Sequence, residues 1–323
     1  MESPVPTRNA GRPLLKWAGG KRQLLPALRP YYPRNYRRYI EPFLGSGAVF
    51  FDLYGSGSLA GRRAWLLDDN ADLIGCYRML ADRTDEVLAA LAGLAAGHHA
   101  GGADYYYQVR DQQFNPARAA GTAYTPDLAA MLIYLNRTGF NGLFRLNRRG
   151  AFNVPAGRYA NPRICDEHHL RAVAAALRSP AITVEHGSFD RALAEAGRGD
   201  FVYCDPPYAP MSRTACFANY TANGFTPDDQ LRLQRALIAA AGRGATVVLS
   251  NSSAPEIERL YSAPEAVRTG LRIERVAARR AINSRADARG PIDELVIANA
   301  PRELRPRMLK ASRQGAETRR RGA

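Results

Sequence analysis

The stretch RRYIEPFLGSGAVFFDLY, from Arg37 to Tyr54, sets a short apolar strand, a turn with two glycines and an apolar helix in direct succession, and AWLLDD at 64–69 supplies the next strand. A chain that leaves a strand through glycine, forms a helix and returns to a strand within about thirty residues is building a parallel sheet with crossover helices. A second such stretch runs from about Ala181 to Asn299, with strand candidates AITVEH, DFVYCD, ATVVLSN, RIERVAA and ELVIAN. LRLQRALIAAA, between Leu231 and Ala241, has the apolar spacing of a crossover helix. The last two strands are close in sequence, which predicts an antiparallel hairpin at one end of the sheet.

Between these halves, Asp82 to Pro180 reads differently. It opens with Ala-rich EVLAALAGLAAG, passes through DYYYQVRDQQF and ends in a loop-rich basic segment between Tyr134 and Arg163, the pattern of an insertion. The expected division is 12–81 with 181–301 as one domain, 82–180 as a second, and 302–323 as a disordered tail with eight basic and two acidic residues. No internal repeat is visible.

With 46% apolar and 9% aromatic residues in 323, the chain is globular in composition and intrinsic disorder is excluded. Val87–Gly97 is about half the roughly 20 residues of a membrane span, and MESPVPTRNAGRP has no apolar signal core, so no membrane association and a cytoplasmic location are expected. Cys76, Cys165, Cys204 and Cys216 form no CxxC pair and no HExxH accompanies the histidines, so neither a metal site nor a disulfide is expected. The net charge of +15 favours a polyanion, with nucleic acid the leading candidate and a solvated Arg-rich surface the alternative. Of 45 basic residues only Lys16, Lys21 and Lys310 are lysine, and two of them share LLKWAGGK, which suggests a need for a compact ammonium there.

Two places carry chemistry. Gly45 and Gly47 follow a strand and open a helix, where backbone can approach a ligand closely; about twenty residues on, Asp68 and Asp69 end the next strand, where a carboxylate can accept from ribose hydroxyls. The loop lacks the full GxGxxG and the P-loop GK[ST], which disfavours dinucleotides and nucleoside triphosphates. The sharper signal is DFVYCDPPY: a buried strand ends in Asp205, Pro206, Pro207 and Tyr208. Two prolines stiffen the corner, so a carboxylate, a carbonyl and an aromatic face hold a fixed geometry suited to a planar group bearing NH2. Two acceptors aimed out of the ring plane would localise the amine lone pair toward an electrophile.

These segments together resemble the Dam-like, D12-class DNA adenine-N6 methyltransferases. The resemblance covers about residues 12 to 300: LLKWAGGKRQLLP, YIEPFLGSGAVFF, LLDDNADLI, YLNRTGFNGLFRLNRRGAFNVPAGRY, VYCDPPYAPMSRTACFANY, LSN and RRAINSRADARGPIDELVIAN occur in the family's order. It implies a Rossmann-like class I methyltransferase sheet with an inserted, mainly helical target-recognition domain carrying a β-hairpin. It implies S-adenosylmethionine as methyl donor, bound by Trp17, Lys21, Asp68 and Asp205, with Gly45 and Gly47 lining the methionine side. An adenine everted from double-stranded DNA would enter the corner of Asp205 to Tyr208. Transfer would be direct, without a covalent enzyme intermediate or a metal, by a monomer associated with the nucleoid.

Leu128 to Cys165 contains no acidic residue and carries Arg137, Arg145, Arg148, Arg149, Arg158 and Arg163 among Phe140, Leu143, Phe144 and Phe152. It resembles the family's recognition hairpin. There Arg145 would read a guanine edge, Phe140 would wedge into the stack, Leu143 and Pro155 would touch bases, and Lys16 would contact the other guanine. Arg137 and Asn141 complete the DNA-facing set, and GATC is the implied target. The family often carries Tyr at the position of Phe140, so stacking is kept while a hydroxyl is lost. Arg279, Arg280, Arg285 and Arg289 would serve the phosphate backbone or be solvated.

The alternatives are a methyltransferase acting on RNA adenine or a protein glutamine amide, and a basic DNA-binding protein without catalysis. His98, His99, His168 and His169 read as surface residues, and Cys204 as a core residue on the strand face opposite the corner.

Overall fold

The computed structural model describes residues 12–17, 19–121, 123–209, 224–279 and 291–299. Arg280, Arg285, Arg289, Cys216, Lys310 and the basic tail lie outside them.

Seven strands form one sheet: β1 (Arg38–Glu41), β2 (Arg63–Asp68), β3 (Ile182–His186), β4 (Asp200–Cys204), β5 (Thr246–Ser252), β6 (Arg272–Arg279) and β7 (Pro291–Ala298). Their order is β3-β2-β1-β4-β5-β7-β6. The first five pair in parallel, while β7 runs antiparallel to both β5 and β6, forming the terminal hairpin expected from the sequence.

Helices cover both faces, and side-chain alternation along the strands divides the core in two. On β4, Phe201 and Tyr203 join one cluster while Val202 and Cys204 join the other. The first cluster draws on α1 (Leu25–Leu28), α2 (Ala48–Gly55), α3 (Ala71–Asp82), α4 (Thr84–Gln108), α5 (Asn115–Ala119), α6 (Pro126–Thr138) and α7 (Glu167–Leu177). The second draws on α8 (Phe189–Glu195), α9 (Pro227–Gly242), α10 (Pro255–Ser262) and α11 (Pro264–Arg268). Cys204 is buried beside Ile40 and Val202, as its strand position predicts, and burial pushes its thiol well above the usual range.

The helices start where local chemistry dictates. Asn70 caps α3 by accepting from the Leu73 amide at 3.0 Å, and Thr125 does the same for α6 ahead of Pro126. Thr226 and Asp229 form a reciprocal capping box on α9, worth about 1 kcal/mol.

The middle segment is built on α4 and α6, which pack against each other, and α6 also packs on α3. One continuous apolar core therefore runs from Leu14 through Tyr77, Tyr106 and Tyr134 to Leu177 and Phe201. The β-hairpin that the resemblance implies within Leu128 to Cys165 takes a looser form. Only two isolated bridges form, Gly139 with Ala156 and Leu146 with Phe152, in place of a continuous ladder. Pro155 has no amide to donate, and Asn147 turns the tip through side-chain bonds to the amides of Arg149 and Ala151.

Candidate active site

The carboxyl ends of β1, β2 and β4 meet where the strand order reverses, so Glu41, Asp68 and Asp205 converge on one crevice. Gly45 follows β1 at φ 47°, and a Cβ there would sit 3.1 Å from the Trp17 ring, so glycine lets the indole lie against this turn without strain or crowding. Asp68 Oδ2 accepts from the Gly45 amide at 2.8 Å and Oδ1 from the Asn70 amide at 3.0 Å. The Tyr77 hydroxyl holds the Gly45 carbonyl at 3.0 Å, and Gly47 stands at the N-cap of α2. Burial pushes the Asp68 carboxyl up to about 6, with the two amides opposing it. Trp17 stacks at 5.7 Å on Phe144, tying this wall to the middle segment.

Glu41 did not emerge from the sequence reading as a site residue. It is 2% exposed, accepts from the Tyr39 hydroxyl at 2.8 Å, and burial raises its carboxyl well above the ordinary range, with Asp205 and Asp68 adding to the rise.

The second half of the site is the corner after β4. Lys21, only 5% exposed, places Nζ 2.9 Å from Asp205 Oδ1, 2.5 Å from the Gly19 carbonyl and 4.4 Å from the centre of the Tyr208 ring. Ser250 on β5 donates to Asp205 Oδ1 at 3.0 Å, and the Tyr203 hydroxyl lies 2.9 Å from Ser250 Oγ. Tyr208 donates to Glu294 at 2.6 Å, which fixes the orientation of its ring. Behind the loop, Gln230 donates to the Pro207 carbonyl at 3.0 Å and Ser252 to the Ala209 carbonyl at 2.8 Å. Burial raises Asp205 to about 6; Lys21 and Ser250 pull it down while Glu294 pushes it up. Ser250, Glu294 and Gln230 were not singled out in the sequence, although two of them sit in the LSN and DELVIAN segments.

The DNA-facing candidates divide by what their side chains already do. Phe140 is 47% exposed at the tip of a turn in which Asn141 adopts φ 55° and Gly142 φ 62°. Lys16, Asn141, Arg145 and Pro155 are exposed, and Leu143 is half-buried. Lys16 Nζ lies 4.4 Å over the Tyr159 ring. Arg145 is held by Asn153, donating from Nε to its Oδ1 at 2.8 Å and from Nη2 to its carbonyl at 3.2 Å. Arg137 differs: its guanidinium donates to the carbonyls of Arg163 and Leu14, and burial lowers its pKa. Its observed bonds brace the N-terminal segment against the loop.

Asn136 joins these pieces. Its Oδ1 accepts from the Lys16 amide at 2.9 Å, and its Nδ2 donates to the carbonyls of Lys16 at 2.7 Å and Gly142 at 2.9 Å. Replacing it with alanine leaves three backbone groups without this partner, the buried Gly142 carbonyl and the partly buried amide and carbonyl of Lys16, at about 1 kcal/mol each. We expect Asn136→Ala to lower stability by about 2–4 kcal/mol, measured by denaturant unfolding; a loss below the scatter of surface substitutions would contradict the linking role.

The reading of all four histidines as surface residues is corrected for two. His169 is 4% exposed with Nε2 3.1 Å from the Pro13 carbonyl, and His98 is half-buried with Nδ1 2.9 Å from the Tyr134 hydroxyl. Each sits on the inner side of an amphipathic helix, where an imidazole with one partner is tolerated. Among the described residues no group of three His, Cys, Asp or Glu side chains is placed as metal ligands would be, and no helix is long and apolar enough to cross a membrane.

A doubly wound sheet with its acidic residues gathered at the strand-order reversal is the arrangement of a Rossmann-like methyltransferase. The family model of the D12 class N6 adenine-specific DNA methyltransferases matches residues 17–282, and the chain belongs to that family. It is similar to the type II methyltransferase M1.LlaDCHI of Lactococcus lactis subsp. cremoris, 37% identical over 89% of this chain and 95% of that protein. The DNA adenine methylase of Escherichia coli K12 is 36% identical over 91% of this chain and 98% of its own length. The type II methyltransferase M.MjaIII of Methanocaldococcus jannaschii is 36% identical over 89% and 99%.

Proposed function

We propose that this DNA adenine methyltransferase transfers a methyl group from S-adenosylmethionine to N6 of an adenine everted from double-stranded DNA, in the sequence GATC. The observation that carries the reading is the fixed corner of Asp205 to Tyr208, set beside the crevice of Gly45 and Asp68 and braced by Lys21, Ser250 and Glu294.

The residues suit the donor. Trp17 and the close-packed Gly45 form an apolar wall, and Asp68 and Asp205 give the crevice an acidic lining for a cation. S-adenosylmethionine would supply an electrophilic methyl on a cationic sulfur. In this reading Trp17, Lys21, Gly45, Gly47, Asp68 and Asp205 bound its site, with Asp68 available to ribose hydroxyls.

The adenine amine is a weak nucleophile because its lone pair is delocalised into the ring. Asp205 and the Pro206 carbonyl accept its two N–H bonds; Gln230 already occupies the Pro207 carbonyl, so the neighbouring one serves the ligand. Tyr208, anchored by Glu294, provides the stacking face. Bending both N–H bonds toward acceptors turns the lone pair out of the ring plane. The proton of the alkylated nitrogen leaves after transfer, so Asp205 acts by position and charge and needs no strong basicity.

That role requires the ionised carboxylate. Asp205 is held near 6, so the single-turnover rate is expected to fall as pH drops through about 6 while the fold persists. The sign for stability is opposite: folded Asp205 and Asp68 bind protons more tightly than the unfolded chain between about pH 4 and 6, so both favour the folded state more on the acid side of that window. Ser250→Ala removes a bond that pulls the Asp205 pKa down, so the acid limb should move to higher pH, with Ser250→Thr restoring it. A pH–rate profile unmoved by Ser250→Ala would remove Ser250 from the site.

For recognition, Phe140 is the wedge, Arg145 and Lys16 read guanines, Leu143, Pro155 and Asn141 line the base contacts, and Arg137 braces them. Labelled methyl offered with duplex DNA, RNA and protein, followed by mapping on DNA from a methylation-deficient host, tests the substrate and the GATC assignment. Label in RNA or protein alone, or at another sequence, would refute the corresponding part.

A further inference from the structure

Beside the recognition turn, the N-terminal segment, the loop 158–163 and the start of α7 enclose an open cleft of about 800 Å³. It is lined by Arg12, Lys16, Arg22, Arg137, Arg158 and Arg163, with Asp166 as the one carboxylate among its described lining residues. Asp166 caps α7 and stands 3.4 Å from Arg12 Nη2 and 3.3 Å from Arg163 Nη1, so one acid holds two arginines side by side. Arg22 and Arg158 are exposed and form no ion pair among the described residues. Arg12 Nε is shielded from water without a hydrogen-bond partner among the described residues.

Six cations against one carboxylate around a concave surface repel one another in the free protein, and a polyanion relieves that repulsion while releasing counterions. The cleft is continuous with the proposed base-reading surface, because Lys16 and Asn141 line both. Phe140 is not among its lining residues, Trp17 and Ser46 beside the glycine turn also line it, and Tyr159 adds an aromatic wall.

We propose that this cleft binds the phosphodiester backbone of duplex DNA flanking the target site, on one side only, through Arg12, Arg22 and Arg163. The inference rests on the reading of DNA as substrate and adds a footprint that is asymmetric about the methylated adenine. Asp166 sets the spacing of Arg12 and Arg163 and moderates the charge of the cleft.

The test uses the full chain and duplexes with one target site already methylated on one strand, so that a single adenine is open and the orientation of the enzyme is fixed. A core duplex of about ten base pairs is compared with versions extended by about one helical turn on either side alone. For Arg12→Gln/Arg22→Gln/Arg163→Gln, affinity for one of the two extended duplexes should fall at least about tenfold, and the slope of log K against log salt should decrease by about 2 to 3. Binding to the core duplex and its transfer rate at saturation should be unchanged. Asp166→Asn keeps an N-cap acceptor and removes only the negative charge, so it should tighten binding to the same extended duplex. Equal losses on the core and both extensions would reduce the cleft to general surface charge, and unchanged slopes would place the flank elsewhere; either result overturns the proposal. Failure of the unaltered protein to methylate any of these duplexes would instead refute DNA as the substrate.

Discussion

Replacing Asp205 with alanine is expected to slow methyl transfer by at least about a hundred- to a thousandfold, the scale on which a single pre-positioned polar group acts in a reacting site. In the folded protein this carboxylate is shared between Lys21 at 2.9 Å and Ser250 at 3.0 Å, and its side chain is 21% exposed toward the crevice. Its removal takes away the proposed acceptor for the amine and leaves the Lys21 ammonium buried with the Gly19 carbonyl. Breaking a buried pair from one side costs up to about 3–5 kcal/mol, less here because Asp205 is partly open to solvent. The chemistry and the stability must therefore be separated. Asp205→Asn keeps the shape and one acceptor oxygen and should also be strongly impaired, because the Asn amide cannot act as a charged acceptor on both sides. Single-turnover rates beside thermal melts give the decision: undiminished transfer in either variant, with the protein folded, would end the proposed mechanism.

The second large effect concerns sequence choice. Arg145→Ala should cost about 1–3 kcal/mol of discrimination at one base pair and leave the others intact. The guanidinium uses Nε and one Nη2 hydrogen on Asn153, so its outer edge remains for a bidentate contact in a fixed orientation. In the proposed reading Asn153 would pre-set Arg145 before DNA arrives. Substrates substituted one position at a time would show the profile, and uniform relaxation at every position would contradict the assignment. Asn153→Ala should weaken discrimination at the same base pair by a smaller factor, since it frees the fork without removing it.

Much of this was legible in the chain because it depends on neighbours in sequence. A strand that alternates, such as DFVYCD, shows which residues face each side of the sheet, and Phe201 with Tyr203 and Val202 with Cys204 separate as alternation requires. The glycine turn after β1 and the antiparallel pair β6 and β7 likewise follow from local rules. The recognition loop was harder to read. Its residues read as a loop-rich basic segment and the family resemblance implied a paired hairpin, but proline and the side-chain turns of Asn147 limit it to two bridges.

What the sequence by itself determined is the sheet, the glycine turn and the Asp205–Tyr208 corner, because backbone conformation and strand alternation are set by residues within a few positions of one another. Only the tertiary structure decided the partners: Lys21 with Asp205, Tyr203 with Ser250, Tyr208 with Glu294, and Asn136 with both Lys16 and Gly142. Most of these contacts join residues tens to hundreds of positions apart, and periodicity holds no information on such pairs. They form because burying a charge or an amide is unfavourable until a complementary group, brought by another strand or helix, meets it.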